Sequence, residues 1–148
     1  MTKRVHLTVG LLATLTIATF FVSTVLVEFL GSPDSVAQVK SLIVMPGLWI
    51  LIPAIAATGG TGFVLSKSRQ GRLVTAKKKR MPFIAANGLI ILIPCALFLD
   101  SWASQGLFDT RFYLVQGLEL VAGATNLVLM GMNIRDGLKL SGRLRPNL

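Results

Sequence analysis

The chain has 148 residues, of which 53% are hydrophobic and 14% charged, and its mean hydropathy is +0.70. A soluble domain of this length would alternate apolar and polar positions, whereas the apolar residues here form four long blocks. The net charge of +9 raises the question of nucleic acid binding, but no aromatic or glycine pattern accompanies the basic residues, so we expect no nucleic acid partner.

The four apolar blocks cover residues 5–30, 42–65, 82–99 and 112–134. Each holds about 18 to 26 residues, which is enough to cross roughly 30 Å of hydrocarbon. Because no water is present there to satisfy backbone amides, each span must be helical. The sequence therefore predicts a single all-α domain over residues 1–148, an integral membrane four-helix transmembrane bundle.

The basic residues predict the orientation of the spans. All of them except Lys40 and Arg111 precede the first span, lie in the connection 66–81 or follow the last span in the tail 135–148. The positive-inside rule then predicts that both termini are cytoplasmic. We expect the basic loop 66–81 to contact anionic lipid headgroups, as a membrane partner. The arrangement favours the cell membrane, in particular a bacterial inner membrane.

The first span begins with the one histidine of the chain, His6. A haem with two protein ligands would need a second subunit or a partner such as Met81, which makes a haem-binding redox oligomer the weaker alternative. An interfacial histidine near the headgroups is the preferred interpretation. Since no His, Cys or Glu cluster has the spacing of zinc ligands, we expect no metal site and no cofactor.

Two charged residues at the outer ends of spans are predicted to lie at similar depth. Glu28 ends the first span and Arg111 precedes the fourth, so the two form an ion pair if these spans are neighbours. Lys40, in the predicted outer loop before the second span, is a competing partner. Charges at span ends are easily solvated, so we interpret this pair as structural.

The second and third spans share a short sequence match. Residues 47–53 and 88–94 agree at six of seven positions, and each segment ends in a proline, Pro53 or Pro94. A proline inside a helix frees the carbonyl four residues earlier, and broken helices at matching positions mark binding sites in some transporters. Because the first and fourth spans show no corresponding similarity, we attribute the match to residues that are common in spans.

The fourth span carries a polar stripe at alternating spacings of three and four, which lie on one face of a helix. We name it the polar seam; its members are Gln116, Glu119, Gly123, Asn126, Met130 and Asn133. A carboxylate within a span is costly and must be compensated, for example by remaining protonated and hydrogen-bonded. Glu119, with Gln116 and Asn126, is therefore a candidate ligand or proton site. Alternatively, these side chains join helices, at about 0.6 kcal/mol each, and a pair between Asn87 and Asn126 is expected.

The sequence contains no nucleophile with a base, no metal cluster and no phosphate loop, so we expect that the protein is not an enzyme. Two hypotheses remain open. The first, which the sequence favours, is a non-catalytic bundle that self-associates or serves as a subunit of a larger membrane complex. The second is a small proton-coupled carrier or ligand-binding membrane protein that uses Glu119, with Gln116 and Asn126 lining its site.

Overall fold

The computed structural model describes residues 2–67 and 71–142, and this part of the chain is helical almost throughout, with no strand. It contains four helical units that are long and apolar enough to cross a membrane, which confirms the predicted all-α fold. Two of the four units are interrupted, at Ile43–Leu48 and at Asn87–Leu92. The regular helices are α1 (Thr2–Leu30), α2 (Pro33–Leu42), α3 (Trp49–Lys67), α4 (Arg72–Ala86), α5 (Ile93–Ser104) and α6 (Thr110–Leu140).

Helix α2 occupies most of the segment that was predicted to be an outer loop. Its N-cap is Ser32, whose hydroxyl accepts a hydrogen bond from the Ser35 amide at 3.3 Å. Pro33 is the first helical residue and Asp34 lies in the first turn, an arrangement that favours a helix start. The prediction for this loop was wrong, and Lys40 lies inside a helix of the bundle.

The predicted basic loop 66–81 is also largely helical, since α4 begins at Arg72. Alanine, lysine, arginine and methionine are strong helix formers, and they fill residues 76–81 of α4, directly before Pro82. Pro82 therefore lies within α4 rather than at the start of a span. At the other end of the chain, α6 continues to Leu140, so the first part of the predicted tail belongs to this helix. Residues 143–148 of that tail lie outside the described residues.

Prolines account for both interruptions. Met45, which precedes Pro46, has φ −135° and ψ 114°, the extended conformation expected before a proline. A side chain at Gly47 would place its Cβ 2.5 Å from Cζ of Phe20, so the glycine allows α1 to approach the kink. The second interruption, Asn87–Leu92, directly precedes Pro94, whose missing N–H leaves a carbonyl of that segment without its helical donor.

Helix α1 packs against α3 and α2 packs against α5, while α6 contacts α1, α4 and α5. We use "outer end" for the end of the bundle that carries the connections 31–32 and 105–109. One apolar cluster, which includes Leu99 and Phe112, fills this end, and another, which includes Ile17 and Met130, fills the opposite half. Large apolar side chains cover the outside of the bundle, as expected for a surface in contact with lipid.

Candidate functional site

The polar seam of α6 faces the other helices. All of its members are buried except Glu119, whose side chain keeps 12% of its surface accessible. The spacing of three and four residues therefore identified the face of α6 that is sheltered from lipid. The sequence predicts that a proton on Glu119 offsets the cost of burying its carboxylate. In the structure a cationic side chain does so instead.

Glu119 forms a buried ion pair with Lys40, which reaches across from α2. The Nζ atom of Lys40 lies 2.5 Å from Oε2 of Glu119, and the lysine side chain has no accessible surface. The side-chain amide of Gln116 donates to the same oxygen at 3.0 Å. The sequence analysis missed this pair because it assigned Lys40 to a loop. The helix-start pattern that begins at Ser32 was the signal that could have placed Lys40 in the bundle.

Glu28 of α1 belongs to the same group of side chains, but it does not pair with Arg111. Its Oε1 atom is buried and has no hydrogen-bond partner, and Glu28 interacts electrostatically with both Lys40 and Glu119. Arg111 is exposed in the first turn of α6. The predicted Glu28–Arg111 pair is therefore wrong, and Lys40, the competing partner, is the cation that acts on Glu28. We name Glu28, Lys40, Gln116 and Glu119 the outer cluster.

The two asparagines predicted to pair do so. The Nδ2 atom of Asn87 donates to Oδ1 of Asn126 at 2.8 Å and to the carbonyl of Ala122 at 2.9 Å. Asn126 in turn donates to the carbonyl of Ile84 at 3.4 Å and is completely buried. Both amides are thus engaged between α6 and the α4–α5 unit, and Asn126 has its own partners within the bundle.

A cavity of about 320 Å³ lies between α1, α3, the α4–α5 unit and α6. Its wall is almost entirely apolar; Glu119, Asn126 and Thr24 supply the polar side chains among its lining residues. The Oε2 atom of Glu119 accepts both hydrogen bonds of this side chain, while Oε1 accepts none. Glu119 therefore lines the cavity with one carboxylate oxygen that has no hydrogen-bond donor in the described part of the chain.

The cavity opens sideways, toward the outside of the bundle. Ile52 and Ala56 of α3 and Leu89 of the second interruption line it and are also exposed on the bundle surface. Its mouth thus lies between α3 and the segment Asn87–Leu92. A molecule could reach Glu119 from the hydrocarbon layer through this mouth.

A second ion pair, which sequence analysis did not identify, joins α4 to α6 at the opposite end of the bundle. Arg80 donates to Oδ2 of Asp136 at 2.6 Å and to the side-chain oxygen of Asn133 at 3.3 Å. Asp136 is almost completely buried, and Arg135 lies 3.8 Å from its other oxygen. Asp136 follows Asn133 by three residues and continues the spacing of the seam, which was the available signal.

The two side chains considered as haem ligands contact other partners. Nδ1 of His6 lies 2.9 Å from the hydroxyl of Thr61, and the sulfur of Met81 accepts a hydrogen bond from Asn133 at 3.5 Å. These contacts give no support to the haem-binding alternative. Within residues 2–67 and 71–142, no group of three His, Cys, Asp or Glu side chains could hold a metal ion.

Comparisons of the chain with protein-family models, with curated proteins and with solved structures found no match. Inference about function therefore rests on the cavity and on the polar groups at its wall.

Proposed function

We propose that this chain is a non-catalytic integral membrane protein that binds a small lipid-soluble molecule in its intramembrane cavity, with Glu119 as the polar contact. The observation that carries the proposal is the cavity of about 320 Å³, apolar and open to the side, with a carboxylate oxygen at its wall. Binding pockets for small molecules typically measure about 300 to 1,000 Å³ and combine apolar walls with a few placed polar groups.

The hydrogen bonding of Glu119 supports a role beyond joining helices. Lys40 and Gln116 both donate to Oε2, so Oε1 has no donor among the described residues on a side chain that lines the cavity. Asp136, which clamps α4 onto α6, instead has a cationic side chain near each of its oxygens. A carboxylate with one oxygen fixed and the other accessible suits the recognition of a ligand that enters the cavity.

The test is photolabelling of the purified protein in nanodiscs with dodecanol that carries a diazirine in its chain. We expect labels on cavity-lining residues of α1 and α3 in the unaltered protein. Ala56→Phe places a large side chain at the exposed mouth and should remove those labels, while Val128→Phe, at an exposed position outside the cavity lining, should leave them. Equal cavity labelling in both variants, or labels confined to the lipid-facing surface, would contradict the proposal.

We further propose that both termini and α4 lie at the cytoplasmic face of a bacterial inner membrane, with the exposed basic side chains against anionic headgroups. Arg72, Lys78 and Lys79 of α4 are exposed, which supports this orientation. In a background in which Cys95 is replaced by alanine, a cysteine introduced for Lys78 should resist a membrane-impermeant thiol reagent in intact cells. Rapid labelling of that cysteine would show that α4 lies on the outside of the cell and would contradict this orientation.

Self-association, or membership of a larger membrane complex, is the second candidate function, and the outward face of α6 favours it. A Cβ added at Gly117 or Gly131 would meet no atom within 4 Å, and Ala124 lies between them at heptad spacing. Small residues on a lipid-facing helix allow another helix to approach closely. With Cys95 replaced by alanine, a cysteine introduced for Gly117 should form a disulfide-linked dimer in membranes, and a monomer under oxidising conditions would count against this candidate.

A further inference from the structure

We propose that the molecule bound in the cavity carries a positive charge, so that the ligand is a lipophilic amine or a related lipid-soluble monovalent cation. This inference rests on the proposed function, because it names the class of ligand for the same cavity. It follows from the charge balance of the outer cluster, from acceptor atoms that lack donors, and from the position of the cluster relative to the cavity.

The outer cluster contains two acidic side chains, Glu28 and Glu119, and one basic side chain, Lys40. Glu28 and Glu119 both interact with Lys40, which is the cation that the two carboxylates share. Asp100 of α5, which packs against α2, is a further acidic side chain in the outer half of the bundle, and its Oδ1 atom is buried without a hydrogen-bond partner. Two ionised carboxylates beside one lysine leave one negative charge without a partner, which is expensive in a low-dielectric interior. A ligand that brings one positive charge stabilises this ionised form of the cluster.

The same cluster lacks hydrogen-bond donors rather than acceptors. Gln116 is 97% buried, its amide nitrogen is used by Glu119, and its Oε1 atom has no partner. The buried Oε1 atom of Glu28 also has none. An ammonium group supplies three donors and no acceptor, whereas a carboxylate or ketone ligand would add acceptors where donors are missing.

The cluster lies at the outer end of the cavity, where the head of an amphiphile would be held. Thr24 and Glu119 line the cavity. Glu28 follows Thr24 by one helical turn and Gln116 precedes Glu119 by about one turn, and both steps lead toward the outer end. An apolar chain would then lie against the aliphatic and aromatic wall, with its charged head between Glu119 and Glu28.

The experiment compares three photoreactive probes with the same diazirine-bearing twelve-carbon chain: dodecylamine, dodecanol and dodecanoate. The protein is placed in nanodiscs of phosphatidylcholine, and labels are mapped by mass spectrometry and corrected for those that remain in Ala56→Phe. We expect the amine to half-saturate cavity labelling at a concentration at least about tenfold lower than the alcohol, the gain expected from a charge-assisted hydrogen bond. Dodecanoate should label the cavity least.

Two variants test whether the acidic groups cause this preference. Glu28 makes no hydrogen bond or ion pair in the described residues, so Glu28→Gln should fold normally and reduce the advantage of the amine over the alcohol several-fold. The double variant Lys40→Glu/Glu119→Lys exchanges the two charges. It keeps an ion pair but moves the carboxylate away from the cavity wall. It should abolish the preference for the amine and retain labelling by the alcohol.

The outcomes separate the ligand class from the proposed function. If dodecanol labels the cavity and the amine has no advantage, or if Glu28→Gln leaves the advantage unchanged, the cationic class is refuted while cavity binding stands. In that case Glu28 is protonated, and the outer cluster is neutral without a cationic ligand. If Ala56→Phe blocks none of the three probes, cavity binding itself is refuted.

Discussion

Removal of the lysine from the buried ion pair is the most informative single change. In Lys40→Met, the aliphatic stem is largely kept and the ammonium is lost, so Glu119 remains in the bundle without its cation. Two unit charges about 4 Å apart attract by about 4 kcal/mol at an effective dielectric of about 20, and the contact of 2.5 Å between Nζ and Oε2 is at least as close. This agrees with the loss of about 3 to 5 kcal/mol that follows when one member of a buried ion pair is removed.

Removal of the acid should be similarly costly. Because Lys40 has no accessible surface, Glu119→Gln leaves a buried ammonium opposite a neutral amide. An amide could replace a carboxylate that only joined helices, but here the substitution removes the counterion of a buried lysine. The double variant Lys40→Met/Glu119→Gln removes both charges and should recover most of the lost stability, since pairs of this kind contribute little net free energy.

The assay is reversible unfolding in mixed micelles, with the free energy of unfolding measured for the four proteins of this double-mutant cycle. We expect each single variant to lose about 3 kcal/mol and the double variant about 1 kcal/mol, which corresponds to a coupling energy of about 5 kcal/mol. A matched control is Lys79→Met, which removes an exposed lysine and should change stability by less than about 0.5 kcal/mol. Additive effects of the two single substitutions would refute the ion pair as a buried interaction.

Three further predictions use the same unfolding assay. Gly47→Ala should lower the free energy of unfolding by about 1 to 3 kcal/mol through overpacking against Phe20, and adding Phe20→Leu should restore part of it. No loss in Gly47→Ala would contradict the close approach of α1 to this kink. Asn87→Ala should lose about 1 kcal/mol because Asn126 loses its donor, whereas Asn87→Gln should lose less, and equal losses would contradict the paired geometry. Asp136→Asn should lose about 1 to 3 kcal/mol by leaving the guanidinium of α4 without its carboxylate, and an unchanged midpoint would show that this clamp is unimportant.

The four spans, the inward position of the seam and the asparagine pair could be predicted because each depends on local patterns. Long apolar blocks require helices in lipid, and a spacing of three and four residues fixes one face of a helix. Asn87 and Asn126 lie at similar depths in adjacent antiparallel units, so depth alone indicated their contact. None of these three predictions depends on how the helices bend.

The ion pairs depend on where helices begin and end, which patterns locate less well. Lys40 was assigned to a loop because the apolar block starts after it, although Ser32, Pro33 and Asp34 form a typical helix start. Asp136 was assigned to a basic tail for the same reason, although α6 continues past it. In both cases the hydrophobic span is shorter than the helix that contains it.

The cavity could not be predicted from the sequence. It depends on how α3 and the segment Asn87–Leu92 are separated on the bundle surface, and therefore on the geometry of the two interruptions. The positions of Pro46 and Pro94 indicate that breaks occur, but the angle of each break is set by the packing of neighbouring helices. Of the two prolines in the matched segments, Pro94 lies in the first turn of α5, directly after an interruption, while Pro53 lies inside the regular helix α3.

Native mass spectrometry of the protein released from lipid nanodiscs tests most directly whether the bundle holds a small molecule. We expect one bound small molecule for each unaltered chain, its retention in Val128→Phe and its loss in Ala56→Phe. The same number of bound small molecules on all three proteins, including none on any of them, would contradict binding in the cavity.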